Sequence, residues 1–359
     1  MIRWRKGEVT GVRREWPGAV ELEVATEDGR CRALAYPALV GRPETGDVVL
    51  LNTTALAMGL GTGGYAMVVA VPDRLPADPA GPGHLVKARY TPLQATVAGA
   101  DEQGSPYHEA LREADSVDGM PVVIADLHSA LPAILCGLYS HAGDGDRPRV
   151  AYVMQDGGAL PAWFSMSCAE LRAREWLCGV ITVGQAFGGD LEAVTLHTGL
   201  LAARHVLHAD VAVVAQGPGN LGTGTRWGFS GVCAGEAVNA AAVLSGRPVA
   251  ALRISEGDRR DRHIGVSHHS LTAYGRVALA PARVVLPELP GELGDRVREQ
   301  AAPLAARHEL VTVPVDGLLD ALKAAPVRLS TMGRGLEEDT AYFLASAAAG
   351  HHAADLLAS

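Results

Sequence analysis

The stretch Ala209-Asp-Val-Ala-Val-Val-Ala-Gln-Gly-Pro-Gly-Asn-Leu-Gly-Thr-Gly-Thr-Arg-Trp-Gly-Phe-Ser230 decides the fold prediction, because a short apolar run breaks into a glycine-rich turn. The unbroken run 211–215 is typical of a strand that is covered on both faces of a parallel sheet. A helical stretch at 231–245 and another apolar run follow the turn, so these residues predict a βαβ unit. Open α/β sheets bind ligands at the carboxyl ends of their strands, and the predicted site therefore lies at this turn.

The same alternation of apolar runs and helical stretches extends in both directions from this unit. Further strands are predicted at 122–127, 150–154, 180–183 and 249–254, with added edge strands at 284–286 and 310–315. The helices are predicted at 130–140, 160–177, 190–207, 231–245, 267–280 and 337–357. Strand–helix alternation implies right-handed crossovers, so the predicted fold is α/β with a doubly wound, mostly parallel sheet.

The chain before residue 84 has a different pattern. Residues 1–71 contain short strands at 9–12, 20–24, 31–36, 48–52 and 65–71 without helices between them, which predicts a small N-terminal β-barrel. Four prolines and two glycines crowd residues 72–83, a composition typical of a linker. The predicted organisation is a barrel domain at 1–71, a linker at 72–83 and an α/β domain at 84–359.

Composition excludes several classes of protein. The 359 residues are 48% hydrophobic and 20% charged, as in a globular protein with a large core. A net charge of −9 argues against nucleic acid as the partner. No apolar run approaches the ~20 residues of a membrane helix, so no membrane association is expected. The five cysteines show no CxxC spacing, and with no signal peptide the chain is predicted to be cytoplasmic; a homo-oligomer stays open.

Asp126 and His128 are the first catalytic candidates, because they end the first predicted strand of the sheet. In an extended strand, side chains two residues apart project to the same side. A carboxylate and an imidazole placed in this way could share a proton or bind a divalent metal, the one cofactor that the residues suggest. The alternative is that Asp126 only caps the next helix.

Three further catalytic candidates rest on separate signals. Only three of the 31 basic residues are lysines, so Lys87 is a candidate for chemistry that needs an amine; it precedes a helix start predicted at 91–94. Asp190 is either a helix cap or a site carboxylate. Of His268 and His269, adjacent on a predicted helix, at most one is expected to face the site, and His268 is the candidate.

The glycine turn supplies the predicted ligand-binding residues. Small residues leave main-chain N–H groups open to an anion. The candidates are Gly217, Gly219, Asn220, Gly222, Thr223, Gly224 and Arg226. The turn matches GxGxxG, but position 242 is alanine where a dinucleotide site would have an acid, so a phosphate or carboxylate is favoured. The arginine-rich loop 259–263 could clamp the same anion or be merely solvated.

Several motifs together resemble a known family. They are Leu60-Gly-Thr-Gly-Gly-Tyr65, Lys87-Ala-Arg-Tyr-Thr-Pro-Leu-Gln94, Val183-Gly-Gln-Ala-Phe-Gly-Gly-Asp190, Gly217-Pro-Gly-Asn-Leu-Gly-Thr-Gly224 and Gly265-Val-Ser-His-His-Ser-Leu-Thr272. The chain resembles, over nearly its whole length, an uncharacterised bacterial family, domain of unknown function 3866. The resemblance implies a shared fold, and it implies no activity and no catalytic residues.

The residues therefore predict an enzyme, a hydrolase or a transferase, that acts on a small anionic substrate, phosphorylated or not. A non-catalytic metabolite sensor or scaffold is the alternative from another class. A dinucleotide-dependent oxidoreductase ranks third, on the strength of the GxGxxG match alone.

Overall fold

The computed structural model describes residues 1–60, 63–140 and 147–358, so Gly61 and Thr62 of the first family motif lie outside the described residues. The chain forms two compact units. One comprises Met1–Val97 and Trp163–Ala169, and the other comprises Ala98–Ala162 and Glu170–Ser359. Residues 72–83 lie in the first unit and contain neither helix nor strand. The domain bounds inferred from the sequence stay a prediction.

The first unit contains the predicted barrel. Within the described ranges, five strands close in the order β1-β2-β3-β5-β4. The strands are β1 (Trp4–Trp16), β2 (Ala19–Thr26), β3 (Gly29–Ala35), β4 (Val48–Asn52) and β5 (Ala66–Ala70). Alternate side chains of these strands, such as Val20, Leu22 and Val24 of β2, fill the interior and are fully buried. The barrel prediction is confirmed.

The prediction of a helix start at 91–94 is wrong, because these residues lie in the turn of a two-stranded hairpin. The hairpin pairs β6 (Leu85–Lys87) with β7 (Ala95–Val97). Gln94 Oε1 accepts from the Tyr90 amide at 3.0 Å, and Thr91 Oγ1 donates to the Ala88 carbonyl at 2.8 Å. The polar residues that predicted a helix start therefore stabilise a turn here. Ala88 and Tyr90, just before them, adopt positive φ, a conformation that a right-handed helix does not contain.

The second unit is built on a parallel sheet whose eight strands, in the described part of the chain, lie in the order β11-β10-β9-β12-β8-β13-β16-β17. They are β8 (Pro121–Ile124), β9 (Val150–Gln155), β10 (Gly179–Thr182), β11 (Leu191–Glu192), β12 (Val211–Gln216), β13 (Arg247–Ala251), β16 (Arg283–Pro287) and β17 (Glu309–Val313). A short antiparallel pair, β14 (Ile254–Ser255) and β15 (Gly265–Val266), follows β13. Every strand pair of the large sheet is parallel, which confirms the α/β prediction.

Helices flank the sheet. Those of the second unit are α3 (His108–Arg112), α4 (Leu131–Ser140), α6 (Leu196–His205), α7 (Cys233–Val243), α8 (His268–Thr272), α9 (Gly291–Ala301), α10 (Leu318–Lys323) and α11 (Thr340–Ala358). The barrel unit contains α1 (Pro37–Val40) and α2 (Thr54–Ala57), and α5 (Met166–Ala173) begins in the first unit and ends in the second. The helix predicted from 190 begins only at Leu196, because Thr195 caps it and residues 191–192 form the edge strand β11. Among the described helices, none has the length and apolar character needed to cross a membrane.

The connections around β8 and β12 run in opposite directions. The chain leaves β8 through α4 towards β9, and it leaves the neighbouring strand β12 through α7 towards β13. Right-handed crossovers in opposite directions place their helices on opposite faces of a sheet. The carboxyl ends of β8 and β12 therefore border a crevice at a topological switch point, the position where such sheets bind ligands.

Candidate functional site

Three neighbouring strands end together at this crevice. β8 lies between β12 and β13, and the residues at or just beyond their carboxyl ends are Asp126, Gln216 and Arg253. All three side chains are buried, at 4%, 1% and 3% exposure. Polar and charged groups buried at adjacent strand ends are rare unless they are paired or functional. These three residues therefore mark the centre of the candidate site.

The glycine-rich turn after β12 folds as a small hairpin. Gly222 pairs with Phe229, and the Thr223 amide donates to the Gly228 carbonyl at 2.7 Å. Asn220 anchors the base of this hairpin, since its Oδ1 accepts from Gln216 Nε2 at 2.9 Å and from the Gly231 amide at 3.2 Å. The turn thus fixes the position of Phe229 beside the end of β12.

Three histidines meet at the base of the hairpin: His263, His268 and His269, the histidine cluster. One ring nitrogen of each lies within 4.8 Å of the others. His269 stacks on Phe229 with ring centroids 3.8 Å apart and planes at 3°. His263 Nδ1 lies 2.7 Å from the Ser267 hydroxyl, whose oxygen also caps α8. The cluster is therefore held by Phe229 on one member and by Ser267 on another.

Asp126 and Arg253 both face His269. Asp126 Oδ2 lies 3.7 Å from His269 Nδ1 and, within the described residues, has no hydrogen-bond partner although it is buried. Arg253 NH1 lies 3.3 Å from the same nitrogen. A carboxylate and a guanidinium thus compete for one ring nitrogen, and the tautomer of His269 decides which of them bonds to it.

Two members of the cluster are held neutral at physiological pH. Burial, followed by the charges of Arg253 and Arg260, lowers the pKa of His263 to about 3. Burial, followed by His269 and Arg262, lowers the pKa of His268 to about 4. The Nε2 atoms of both rings are buried and have no hydrogen-bond partner among the described residues. Neutral imidazoles with unpartnered nitrogens can accept a proton or ligate a metal.

A cleft of about 670 Å³ opens beside His268. Its charged lining consists of Arg226, Arg262 and Arg276, and we call it the arginine cleft. No carboxylate is found among its described lining residues, and across the described ranges none of the three arginines forms an ion pair. Unpaired arginines that converge on a concave surface give a strong preference for anions.

The loop between β14 and β15 divides its arginines between two uses. Arg260 forms a two-point contact with the buried Asp258, with both N···O distances 2.8 Å. Arg253 and Arg334 also reach Asp258, at 3.5 and 3.4 Å, and Arg334 continues to Asp339 at 2.9 Å. We call these five residues the paired-arginine network. Only Arg262 of this loop lines the cleft, so the predicted clamp reduces to one residue.

A second cleft, of about 770 Å³, is larger but chemically different. Lys323, Arg328, Glu337 and Glu338 line it together with apolar residues near α10. Charges of both signs neutralise one another there, and none of the predicted site residues contributes to it. The arginine cleft is therefore the candidate site.

The predicted catalytic residues separate in the structure. β8 ends at Ile124, so the side-chain alternation assumed for Asp126 and His128 does not apply. Asp126 faces the histidine cluster, but His128 Nδ1 lies 2.9 Å from the Tyr152 hydroxyl, which bonds to the Gln216 carbonyl. Burial lowers the pKa of His128 to about 4. His128 thus belongs to a buried chain of hydrogen bonds between β9 and β12.

Asp190 and Lys87 have other surroundings. Asp190 bonds to Arg172 at 2.9 Å and to the Val180 amide at 2.7 Å, near the amino end of β10. It is therefore not the helix cap that was predicted as one alternative, and it lies at the strand end opposite to the site edge. Lys87 lies in β6, in the unit of the barrel, and its side chain is buried.

The glycine turn contributes less to the cleft than the sequence predicts. Of its seven candidate residues, the cleft contains Gly224 and Arg226. Gly217 is buried, and its amide donates to the Gln155 carbonyl at 3.1 Å. Asn220 and Thr223 instead form hydrogen bonds within the hairpin, Asn220 at its base and Thr223 across its two strands to Gly228. The following helix α7 begins only at Cys233. A dinucleotide fingerprint would lead directly into its helix, so the turn lacks that geometry.

Sequence reasoning missed four residues of the candidate site: His263, His269, Arg253 and, in the arginine cleft, Arg276. The rule that adjacent helix residues diverge excluded His269, yet both His268 and His269 belong to the cluster, because their ring centroids are only 4.4 Å apart at the first turn of α8. His263 was not selected either. Arg253 stands inside the apolar run 249–254, and a charge within a buried strand is a signal that could have found it.

Fold and site together define the class: an α/β protein with a parallel sheet, an N-terminal β-barrel, and a histidine- and arginine-lined site at the carboxyl edge of the sheet. The chain belongs to the family described as "Protein of unknown function (DUF3866)", whose model matches residues 32–350. No curated protein matches the chain.

Proposed function

We propose that the protein is an enzyme, a hydrolase or a transferase, that acts on a small anionic substrate bound in the arginine cleft. The observation that carries the proposal is the set of three arginines without carboxylate partners, which line one cleft beside His268. Its volume of about 670 Å³ suits a metabolite-sized ligand. Phosphorylated compounds are the leading substrate class, because guanidinium groups match the geometry of phosphate oxygens.

The histidine cluster provides the chemical part of the proposal. His268 belongs both to the cleft lining and to the cluster, so an anion held by the arginines contacts the cluster through this residue. A neutral imidazole can take a proton from an attacking hydroxyl or water during group transfer. Asp126, at 3.7 Å from His269, can stabilise a positive charge that develops on the cluster.

Calorimetric titration tests whether the arginine cleft binds an anion. The wild-type protein should bind inorganic phosphate and phenyl phosphate, and it should not bind phenol, which lacks the charge. Arg226→Ala should weaken phosphate binding by about 10- to 100-fold, the value of one or two charge-assisted hydrogen bonds. The matched control is Arg174→Ala, which removes an exposed arginine paired with Glu170 on α5 and should leave binding unchanged.

Measurement of turnover tests whether the protein is an enzyme and whether His268 takes part in the reaction. Release of phosphate from a panel of phosphomonoesters should fall by about 10²- to 10⁴-fold in His268→Ala, as expected when a general acid–base group is lost. The exposed His197 on α6 offers the control substitution His197→Ala. Phosphate binding without turnover of any panel member would overturn the enzyme assignment and favour a sensor.

A further inference from the structure

We propose that the histidine cluster is a binding site for one divalent first-row transition metal ion of the zinc class. This site differs from the pair Asp126 and His128 that the sequence suggested. Three imidazoles already lie with one nitrogen each within 4.8 Å of the others. A tetrahedral zinc ion has Zn–N bonds of about 2.0–2.1 Å, so small side-chain rotations bring the three nitrogens into its coordination shell.

The hydrogen bonds around His263 leave the correct nitrogen free. Its Nδ1 lies 2.7 Å from the Ser267 hydroxyl, and that oxygen can accept the Nδ1 proton. Its Nε2 is then a lone-pair donor, and this atom is buried and has no partner in the described part of the chain. Metal-bound histidines commonly donate their second ring N–H to an oxygen in this way. His268 presents a second buried and unpartnered Nε2.

Asp126 completes the arrangement from outside the cluster. Its Oδ2 is buried, unpartnered within the described ranges and 3.7 Å from His269 Nδ1. A metal on the other nitrogen of His269 requires a proton on Nδ1. Asp126 would accept that proton, and the Arg253 NH1 group, 3.3 Å away, would have to turn aside because it can only donate. A small movement of either side chain would shorten the 3.7 Å contact to a hydrogen bond and give the carboxylate–histidine–metal arrangement, in which the carboxylate orients the ring and raises its basicity. A buried carboxylate without a donor calls for an explanation, and a protonated His269 Nδ1 beside it supplies one.

The charges around the cluster have both signs. Arg253 lies 3.3 Å from His269 Nδ1, and its charge is balanced by Asp258 at 3.5 Å. Asp126, buried beside His269, would offset part of the charge of a cation. Three nitrogen ligands leave one position of a tetrahedral ion open, the pattern of catalytic rather than structural zinc sites. His268 also lines the arginine cleft, so this open position would lie near the proposed anion site.

Metal titration tests the site directly. Protein freed of metal with a chelator is titrated with Co²⁺, whose visible absorption reports imidazole coordination, and then with Zn²⁺ in competition. We expect one equivalent per chain and displacement of Co²⁺ by Zn²⁺. Mg²⁺ should not compete, because it prefers oxygen ligands.

Substitutions assign the ligands. His268→Ala should weaken Co²⁺ binding by more than Asp126→Asn, and Asp126→Asn should weaken it by about 10- to 100-fold, as loss of an outer-shell partner does. His197→Ala, at an exposed position of α6, is the matched control and should bind as the wild type does. Circular dichroism confirms the fold of each variant, and His269→Gln replaces His268→Ala if the latter is unfolded.

Two results would overturn the metal site. One is the absence of a Co²⁺ spectrum in the folded wild type, and the other is equal Co²⁺ affinity in His197→Ala and in the folded ligand variant. A ligated His268 could not also accept a proton, so in the metal-bound protein the acid–base role would pass to the open position of the ion. The metal site is tested separately from the proposed function, because Co²⁺ is titrated without phosphate. A failure of phosphate binding would therefore leave the metal result intact, and the converse also holds.

Discussion

The paired-arginine network and the arginine cleft use the same side chain in opposite ways. Arg260 and Arg262 are two residues apart, yet Arg260 is tied to Asp258 by two contacts of 2.8 Å, whereas Arg262 lines the cleft without a carboxylate. In the network, charge is neutralised inside the protein and contributes to folding. In the cleft, the arginines have no carboxylate partner among the described residues, and in the proposed function their charge binds the substrate. The conformation of the loop, which brings Asp258 to Arg260 and not to Arg262, makes the difference between the two arginines.

The largest effect is expected from Asp258→Asn, because it breaks the network at its centre. The side chains of Asp258 and Arg253 are 2% and 3% exposed, so the substitution leaves a buried guanidinium without its counter-charge. Loss of one partner of a buried pair costs about 3–5 kcal/mol, and we expect Asp258→Asn to lose about 3 kcal/mol of unfolding free energy. Urea denaturation measures the loss.

Asp320→Asn is the control for this measurement, since Asp320 is exposed and its carboxylate lies 4.0 Å from Lys323 Nζ, a long and therefore weak ion pair. It should change the unfolding free energy by less than about 0.5 kcal/mol. Equal stability of the two variants would show that the network is not structural, and the comparison between the two arginine groups would then fail.

The pH dependence of stability tests the same network without removing an atom. The hydrogen bonds from Arg260 hold the pKa of Asp258 well below its ordinary value. A depressed folded-state pKa contributes stability above the unfolded value, about 3.9, and that contribution is lost as the pH falls through the folded-state pKa. Thermal unfolding should therefore show that the wild type loses more stability than Asp258→Asn as the pH falls below about 4. Parallel pH profiles for the two proteins would contradict this assignment.

Two substitutions with opposite expected effects on stability and phosphate affinity distinguish the arginine cleft from the paired-arginine network. Arg262→Ala should weaken phosphate binding by about 1.5–3 kcal/mol and leave stability unchanged, because it removes an exposed charge from the cleft. Arg260→Ala should lower stability and leave phosphate affinity unchanged. Calorimetry and urea denaturation of both variants complete the test. Loss of phosphate affinity in Arg260→Ala alone would reverse the assignments.

The fold was predictable because its signals are local and repeated. Apolar runs such as 211–215 identify buried strands, and short alternating strands identify the barrel. The edge strand β11 was missed because it contains two residues and no apolar run. The turn at 91–94 was predicted as a helix because Thr91 and Gln94 stabilise a helix start and a tight turn through similar side-chain-to-backbone hydrogen bonds.

The site was predictable only in part, since it depends on contacts between loops. The sequence placed it at the carboxyl edge and selected Asp126, His268, Gly224 and Arg226, which the structure brings to the histidine cluster or the arginine cleft. It could not show that the loop after β14 folds back to place His263 beside His268, with ring centroids 5.0 Å apart. Nor could it show that Asp258 pairs with Arg260 and not with Arg262, because the conformation of the loop makes that choice.

The smallest expected effect concerns two glycines of the hairpin, which separate the cleft from the rest of the turn. Gly224 lines the cleft with φ +82°, and a Cβ there would lie 3.8 Å from Arg262 NH2. Gly222 has no positive φ, and the nearest atoms to an added Cβ are 3.9 Å away. Gly224→Ala should cost about 1–2 kcal/mol of stability, the strain of a left-handed residue, and should weaken phosphate binding because the strained turn also carries Arg226.

Gly222→Ala should leave both quantities within about 0.5 kcal/mol of the wild type, because the new methyl group meets open space and an ordinary backbone conformation. Urea denaturation and phosphate titration measure the stability and the phosphate affinity of each variant, and only those of Gly224→Ala should change. If Gly222→Ala abolishes phosphate binding while Gly224→Ala does not, the anion is held by main-chain amides of the hairpin neck. The unpaired arginines would then be a solvated surface, and the distinction between the two arginine groups would lose its functional meaning.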